Sequence, residues 1–168
     1  YLQRYALAAT LSSNIGIYGP VFEQMISTPI PGKEEYYMSE KFQLCHYDWF
    51  KENKVTALIT KINQIRKQQE SYQQTNNIQF LETGNDQLIA FYKWNDARSN
   101  ETLTIISLDA YNSQSGSVQL PLHDLKVQHG QKVEVEDLVT RNCYNWYNEW
   151  NYVELHPSLP FHIFKINK

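Results

Sequence analysis

The clearest periodic stretch of the chain contains Val55, Leu58, Ile59, Ile62 and Ile65 at steps of three and four, with Lys54, Lys61, Asn63, Gln64, Arg66 and Lys67 between them. That spacing winds the apolar positions onto one face of an α-helix and leaves the other face to water. Residues 1–11 carry Tyr5, Leu7, Ala8 and Ala9 without a breaker and predict the tail of another helix. Between the two, 15–18 is a short apolar run closed by Gly19-Pro20, which predicts a strand. A strand that short needs pairing partners to satisfy its backbone, and these elements do not supply them. Residues 21–26 predict a short helix that Pro29 and Pro31 keep from extending. Tyr47, Trp49 and Phe50 are expected to pack on the helix that follows.

After a polar, aperiodic run at 68–77 the pattern changes. Short runs rich in β-branched and aromatic residues recur at 78–82, 87–94, 102–108, 117–120, 132–137, 152–155 and 161–166, and no helical stretch is expected among them. Gly84-Asn85-Asp86, 96–100, 113–116 and His129-Gly130 supply turn residues. Strands at such spacing predict a small antiparallel sandwich. The order helix, strand, loop, helix before residue 77 is that of the last βα unit of a barrel. The expected division is therefore 1–76, a barrel remnant with a long loop, and 77–168, a β-sandwich.

Composition narrows the function classes. With 168 residues the chain is too short for a complete (β/α)8 barrel, which needs about 250. The formal net charge is −3 and the 15 Lys and Arg are dispersed, so nucleic acid is a poor partner. No apolar run approaches the roughly 20 residues of a membrane helix, and a start at Tyr1 without a signal pattern suggests a fragment. Cys45 and Cys143 stand in no metal or redox spacing and read as thiols in a reducing, cytoplasmic setting. The five histidines, His46, His123, His129, His156 and His162, show no metal-ligand spacing, so no metal or cofactor is expected.

Two stretches could carry chemistry. The loop PIPGKEEYYMSEK at 29–41 is polar, aromatic and without periodicity, and long loops of that kind are commonly functional. It holds Glu34, Glu35, Glu40 and Lys41, with Asp48 following. Acid/base work by carboxylates needs a matched pair, and no pattern marks any of these as one. Taken by itself, Lys41 reads first as a surface ion pair with Glu34, Glu35 or Glu40. The second stretch is YNWYNEWNY, in which Tyr144, Trp146, Tyr147, Trp150 and Tyr152 alternate with amides. Flat rings beside amide side chains suit sugar faces, with Trp146 and Trp150 the candidate sugar contacts; a hairpin whose rings pack on the sandwich fits the same pattern.

Several motifs, in order and at matching spacing, carry a resemblance over nearly the whole chain. Gly16-Ile17-Tyr18-Gly19-Pro20, Phe22-Glu23, Pro31-Gly32-Lys33-Glu34-Glu35-Tyr36 and Ser39-Glu40-Lys41-Phe42 closely resemble the last barrel strand and following loop of the alpha-1,4-glucan:maltose-1-phosphate maltosyltransferases, within the α-amylase superfamily. Asp86-Gln87-Leu88, Ser113-Gln114-Ser115-Gly116, Asn151-Tyr152-Val153-Glu154-Leu155 and Phe161-His162-Ile163-Phe164 continue it. The resemblance implies an α+β fragment: the end of a (β/α)8 barrel, its last strand and helix, followed by an antiparallel C-terminal β-sandwich. It implies a retaining, metal-free transfer of maltosyl from maltose 1-phosphate to an α-1,4-glucan by a homodimeric parent. The nucleophile and acid/base would lie on earlier strands, so no catalytic residue is assigned here. Lys41, and the backbone of Phe42, would help hold the donor; Phe42 stands where the family more often has tyrosine. An amylase-type hydrolase and a free-standing glucan-binding module are the alternatives.

Overall fold

The computed structural model of the protein describes residues 1–37 and 44–168. Three helices precede the sheet region: α1 (Leu2–Leu11), α2 (Gly19–Glu23) and α3 (Lys54–Gln68). A 3-10 turn at Glu70–Gln73 leads into β1 (Ile78–Leu81), β2 (Leu88–Trp94), β3 (Glu101–Ser107), β4 (Gln114–Gln119), the single-turn α4 (Leu122–Leu125), β5 (Val133–Asp137), β6 (Cys143–Trp146), β7 (Trp150–Leu155) and β8 (Phe161–Asn167). The strands form a six-stranded antiparallel sheet in the order β1-β2-β3-β8-β5-β6 and a two-stranded sheet, β4-β7.

Strand alternation sorts the core into two layers. Leu88, Ala90 and Tyr92 of β2, with Leu103 and Ile105 of β3, turn toward the small sheet and meet Val118, Val153 and Leu155. Phe91, Ile106, Phe161 and Ile163 turn the other way, onto Tyr5, Ala6 and Ala9 of α1 and Leu58, Ile62 and Ile65 of α3. The molecule is thus helices, large sheet, small sheet. All seven residues of β3 are buried, and its helix-side threonines find hydroxyl partners: Ser71 Oγ lies 2.9 Å from Thr102 Oγ1 and Tyr72 Oη 2.7 Å from Thr104 Oγ1. Polar positions in a strand buried on both faces are kept only where they are bonded.

Helix α3 forms as its period predicts, and Asn53 starts it. Its side chain accepts from Val55 N (2.9 Å) and Thr56 N (3.1 Å) while Thr56 Oγ1 accepts from Asn53 N, a capping box built from Asn and Thr.

Several expectations are corrected. No strand forms at 15–18, because no strand among the described residues lies beside it; Ile15 and Ile17 still pack inward and Gly16 and Tyr18 face out. Helix α2 starts earlier, at Gly19, and stops at Glu23, since Met25 takes a left-handed φ of 56° that a helix cannot continue through. Trp49 and Phe50 are 67% and 94% exposed, because α1 and the large sheet already occupy the apolar face of α3. The glycine of 113–116 marks close packing instead of a turn: Gly116 pairs with Val153 inside β4, and a Cβ there would stand 3.0 Å from Asn85 Cβ. Strand β6 and the turn α4 were not expected.

Candidate functional site

The loop after α2 borders two clefts. One, of about 570 Å³, lies between α1 and α2 and is lined by Arg4, Leu7, Tyr18, Phe22, Tyr36 and Leu108 among others. The second, of about 420 Å³, shares Val21, Ile26 and Tyr36 and adds Tyr37, Cys45 and His46. The described part of the loop is a tight hairpin: Ile30 N donates to Glu35 O (2.9 Å), Tyr37 N to Thr28 O (2.7 Å), and Gly32 takes φ +77°. It presents Glu34 and Glu35 to solvent, and no ion pair reaches either among the described residues. Lys41 and Phe42, with Ser39 and Glu40, lie outside the described residues.

Two cations fix the chain as it enters this region, Arg66, which the sequence assigned to the solvent face of its helix, and Lys93, which the sequence did not single out. Arg66, on the polar flank of α3, donates to the carbonyls of Ala9, Ser12 (3.0 Å) and Ser13 (2.6 Å). Lys93, with no exposed surface, reaches from β2 to Leu11 O (3.1 Å) and Gln74 O (2.8 Å). Positive groups at the carbonyl end of a helix satisfy its orphan acceptors and its dipole. Together they hold the end of α1, and with it the 12–18 segment leading to the loop, onto the sheet.

The structure separates the candidate aromatics. Trp146 is 8% exposed and meets Phe164 edge-on at 5.4 Å inside the inter-sheet core, so its ring offers no free face. Trp150 and Tyr152 are 45% and 66% exposed on the outward side of β7.

His162 is an alternating strand position, as expected. Its Nδ1 lies 2.9 Å from Asp137 Oδ2, Nε2 lies 3.2 Å from Glu154 O, and the ring stacks on Phe164. With a carbonyl on its far nitrogen the pair has no nucleophile to serve and is a structural lock. Burial pushes the Asp137 carboxyl up, but bonds from His162, Val139 N and Thr140 Oγ1 outweigh it and hold the group below the usual range. A depressed carboxylate contributes stability above its unfolded value near 3.9 and loses it as pH falls through the folded value. Acid unfolding should accordingly steepen below about pH 4, and Asp137→Asn should flatten that limb in chemical-denaturation titrations. No cluster of three or more metal-ligating side chains occurs among the described residues, and no described helix is long and apolar enough to cross a membrane.

The model of the family described as GLGE, C-terminal, matches residues 80–166, more than half of the chain. The chain belongs to that family. GLGE C-terminal membership agrees with the resemblance read from the motifs. The alpha-1,4-glucan:maltose-1-phosphate maltosyltransferase of Chlorobaculum tepidum is 39% identical over 174 residues, covering 99% of this chain and 26% of that protein. The protein of the same name from Methylacidiphilum infernorum is 35% identical over 170 residues, 100% of this chain and 25% of its own length. The chain therefore spans about a quarter of these relatives. An α-amylase from Geobacillus thermoleovorans, solved with acarbose, superposes on 99% of the chain and 34% of its own, with a TM-score of 0.62 at 15% identity, which shows a shared fold. In this GLGE C-terminal chain the matched 80–166 region is the two-sheet part, whereas α1, α2, α3 and the loop lie before it.

Proposed function

We propose that the chain is the C-terminal part of a retaining transferase of the α-amylase superfamily that moves maltosyl from maltose 1-phosphate to an α-1,4-glucan, as in glycogen-like polymer synthesis. The observation that carries this is that maltosyltransferases match the chain from end to end at 35–39% identity. The amylase-like fold over 99% of its length supports assigning 1–76 to the end of a (β/α)8 barrel and 77–168 to a C-terminal sandwich. The unpaired inward alternation at 15–18 fits a barrel strand whose neighbours belong to earlier sequence. On this reading the reacting carboxylates stand on those earlier strands, the parent is a cytoplasmic homodimer, and neither metal nor cofactor takes part.

Lys41 is assigned to the donor site, its ammonium bonding sugar hydroxyls, with Phe42 contributing its main chain. In the full-length protein, Lys41→Ala should lower kcat/KM for phosphate release from maltose 1-phosphate about 10- to 100-fold, the loss of one charge-assisted hydrogen bond of about 1.5–3 kcal/mol. The isolated 168-residue chain should release none. Hydrolysis of maltooligosaccharides by the full-length protein, with no dependence on maltose 1-phosphate, would transfer the assignment to an amylase-type hydrolase.

A further inference from the structure

The outward face of the small sheet is unlike the rest of the sandwich surface. The register sets Trp150 across from Gln119, Tyr152 across from Ser117 and Glu154 across from Ser115, while Val118, Val153 and Leu155 point into the core. Two half-exposed rings thus stand at alternate positions, about 6.6 Å apart along β7, beside a row of hydroxyl and amide groups. The hydroxyls of Ser115, Ser117 and Tyr152 and the indole N–H of Trp150 have no hydrogen-bond partner among the described residues. Gln119 is held in place by Glu149, its Nε2 donating to Oε1 at 2.6 Å.

The chemistry of the face selects its occupant. It carries no lysine or arginine, and the nearby charges, Glu149 and Glu154, are acidic, which disfavours nucleic acid and anionic lipid. An apolar protein contact would not be built around a ladder of serines. A neutral, ridged polyol satisfies both halves: C–H faces lie on the rings and hydroxyls bond the Ser and Gln row. We propose that the β4-β7 face, centred on Trp150 and Tyr152, is a surface-binding site for an α-1,4-glucan chain. This rests on the proposed substrate class of the enzyme.

The test is electrophoresis of the 168-residue protein through native gels containing glycogen, with maltoheptaose titrations followed by tryptophan fluorescence. The wild-type chain should be retarded, and Trp150→Ala combined with Tyr152→Ala should cut affinity at least tenfold, about 1.4 kcal/mol. Ser117→Arg, which leaves both rings in place but covers the rung between them, should give a similar loss. Tyr111→Ala removes a ring that is 89% exposed in the β3–β4 turn and should leave retardation unchanged. Circular dichroism melts confirm that each variant folds. The site is overturned if the wild type is not retarded, if the double variant or Ser117→Arg binds as tightly, or if Tyr111→Ala loses as much. It is also overturned if the double variant converts a dimer to a monomer in sedimentation with retardation unchanged, which would give the face to a second copy of the chain. Phosphate release from maltose 1-phosphate by the full-length protein reports the transferase reading separately: retardation of the chain with no release by the full-length protein keeps this site and retires the transferase, and the converse retires the site alone.

Discussion

Replacing Phe161 with alanine should lower the unfolding free energy of the whole chain by about 3–5 kcal/mol and shift a single cooperative transition without splitting it. Phe161 has no exposed surface and pairs with Ile106 in the middle of the large sheet, on the side that faces the helices. Its cluster mixes Tyr5, Ala6, Leu58 and Ile62 from before residue 77 with Phe91, Leu138 and Ile163 from after it. Truncating the ring removes dispersion contacts from both sets at once and leaves a cavity that neither layer can close alone. The melting temperature should fall by roughly 10 °C for a chain of this size. Leu108→Ala, at a side chain 51% exposed, should change stability by no more than about 0.5 kcal/mol. Two resolved calorimetric transitions, with only the later one moved by Phe161→Ala, would show that the helices and the sheets do not share this core.

What the sequence made legible follows from which patterns are local. Helix α3 has one buried face and one solvated face, so its period survives in the residues themselves. Strands β2, β5, β7 and β8 were found for the same reason, by apolar clustering or alternation between turn residues. Strand β4 was half missed because Gly116 serves packing against Asn85 and Leu88, and a glycine required by a neighbour looks like one required by a turn. The aromatic stretch left sugar contact and packing on the sandwich both open, and parity could not decide between them. Positions 144, 146, 150 and 152 share one parity and seem to share a face, but β6 lies in the large sheet and β7 in the small one. The same parity therefore points Trp146 into the space between the sheets and Trp150 away from it. Nothing in a single sequence marks a crossing between sheets, and the candidate sugar contact was legible only in part. Lys93 was hidden in the opposite way: a lysine in a strand reads as a solvent position, and only the carbonyls of Leu11 and Gln74, distant in sequence, explain its burial.

That buried lysine should give the protein an unusual alkaline profile. Burial, reinforced by the charge of Arg66, drives the Lys93 ammonium down to about 8 from its ordinary value of 10.5. Because the folded value is the lower one, the unfolded chain binds the extra proton between pH 8 and 10.5, and stability must rise with pH across that window. A gap of that size is worth about 3 kcal/mol in all, of which about 2–3 kcal/mol should appear between pH 7 and 10. The tyrosines then act with the opposite sign. Burial holds Tyr72 up at about 12, and Tyr5 and Tyr92 are raised as well, so above pH 10 the unfolded chain loses protons first and stability falls. Urea titrations should therefore find a maximum near pH 10. Lys93→Met removes the titrating group while keeping an aliphatic stem in the same space, and it should abolish the rising limb but leave the tyrosine-driven fall. A wild-type profile that is flat or falling from pH 8 to 10, or a variant that keeps the rise, would mean that the ammonium is solvated in solution and does not clamp α1 to the sheet.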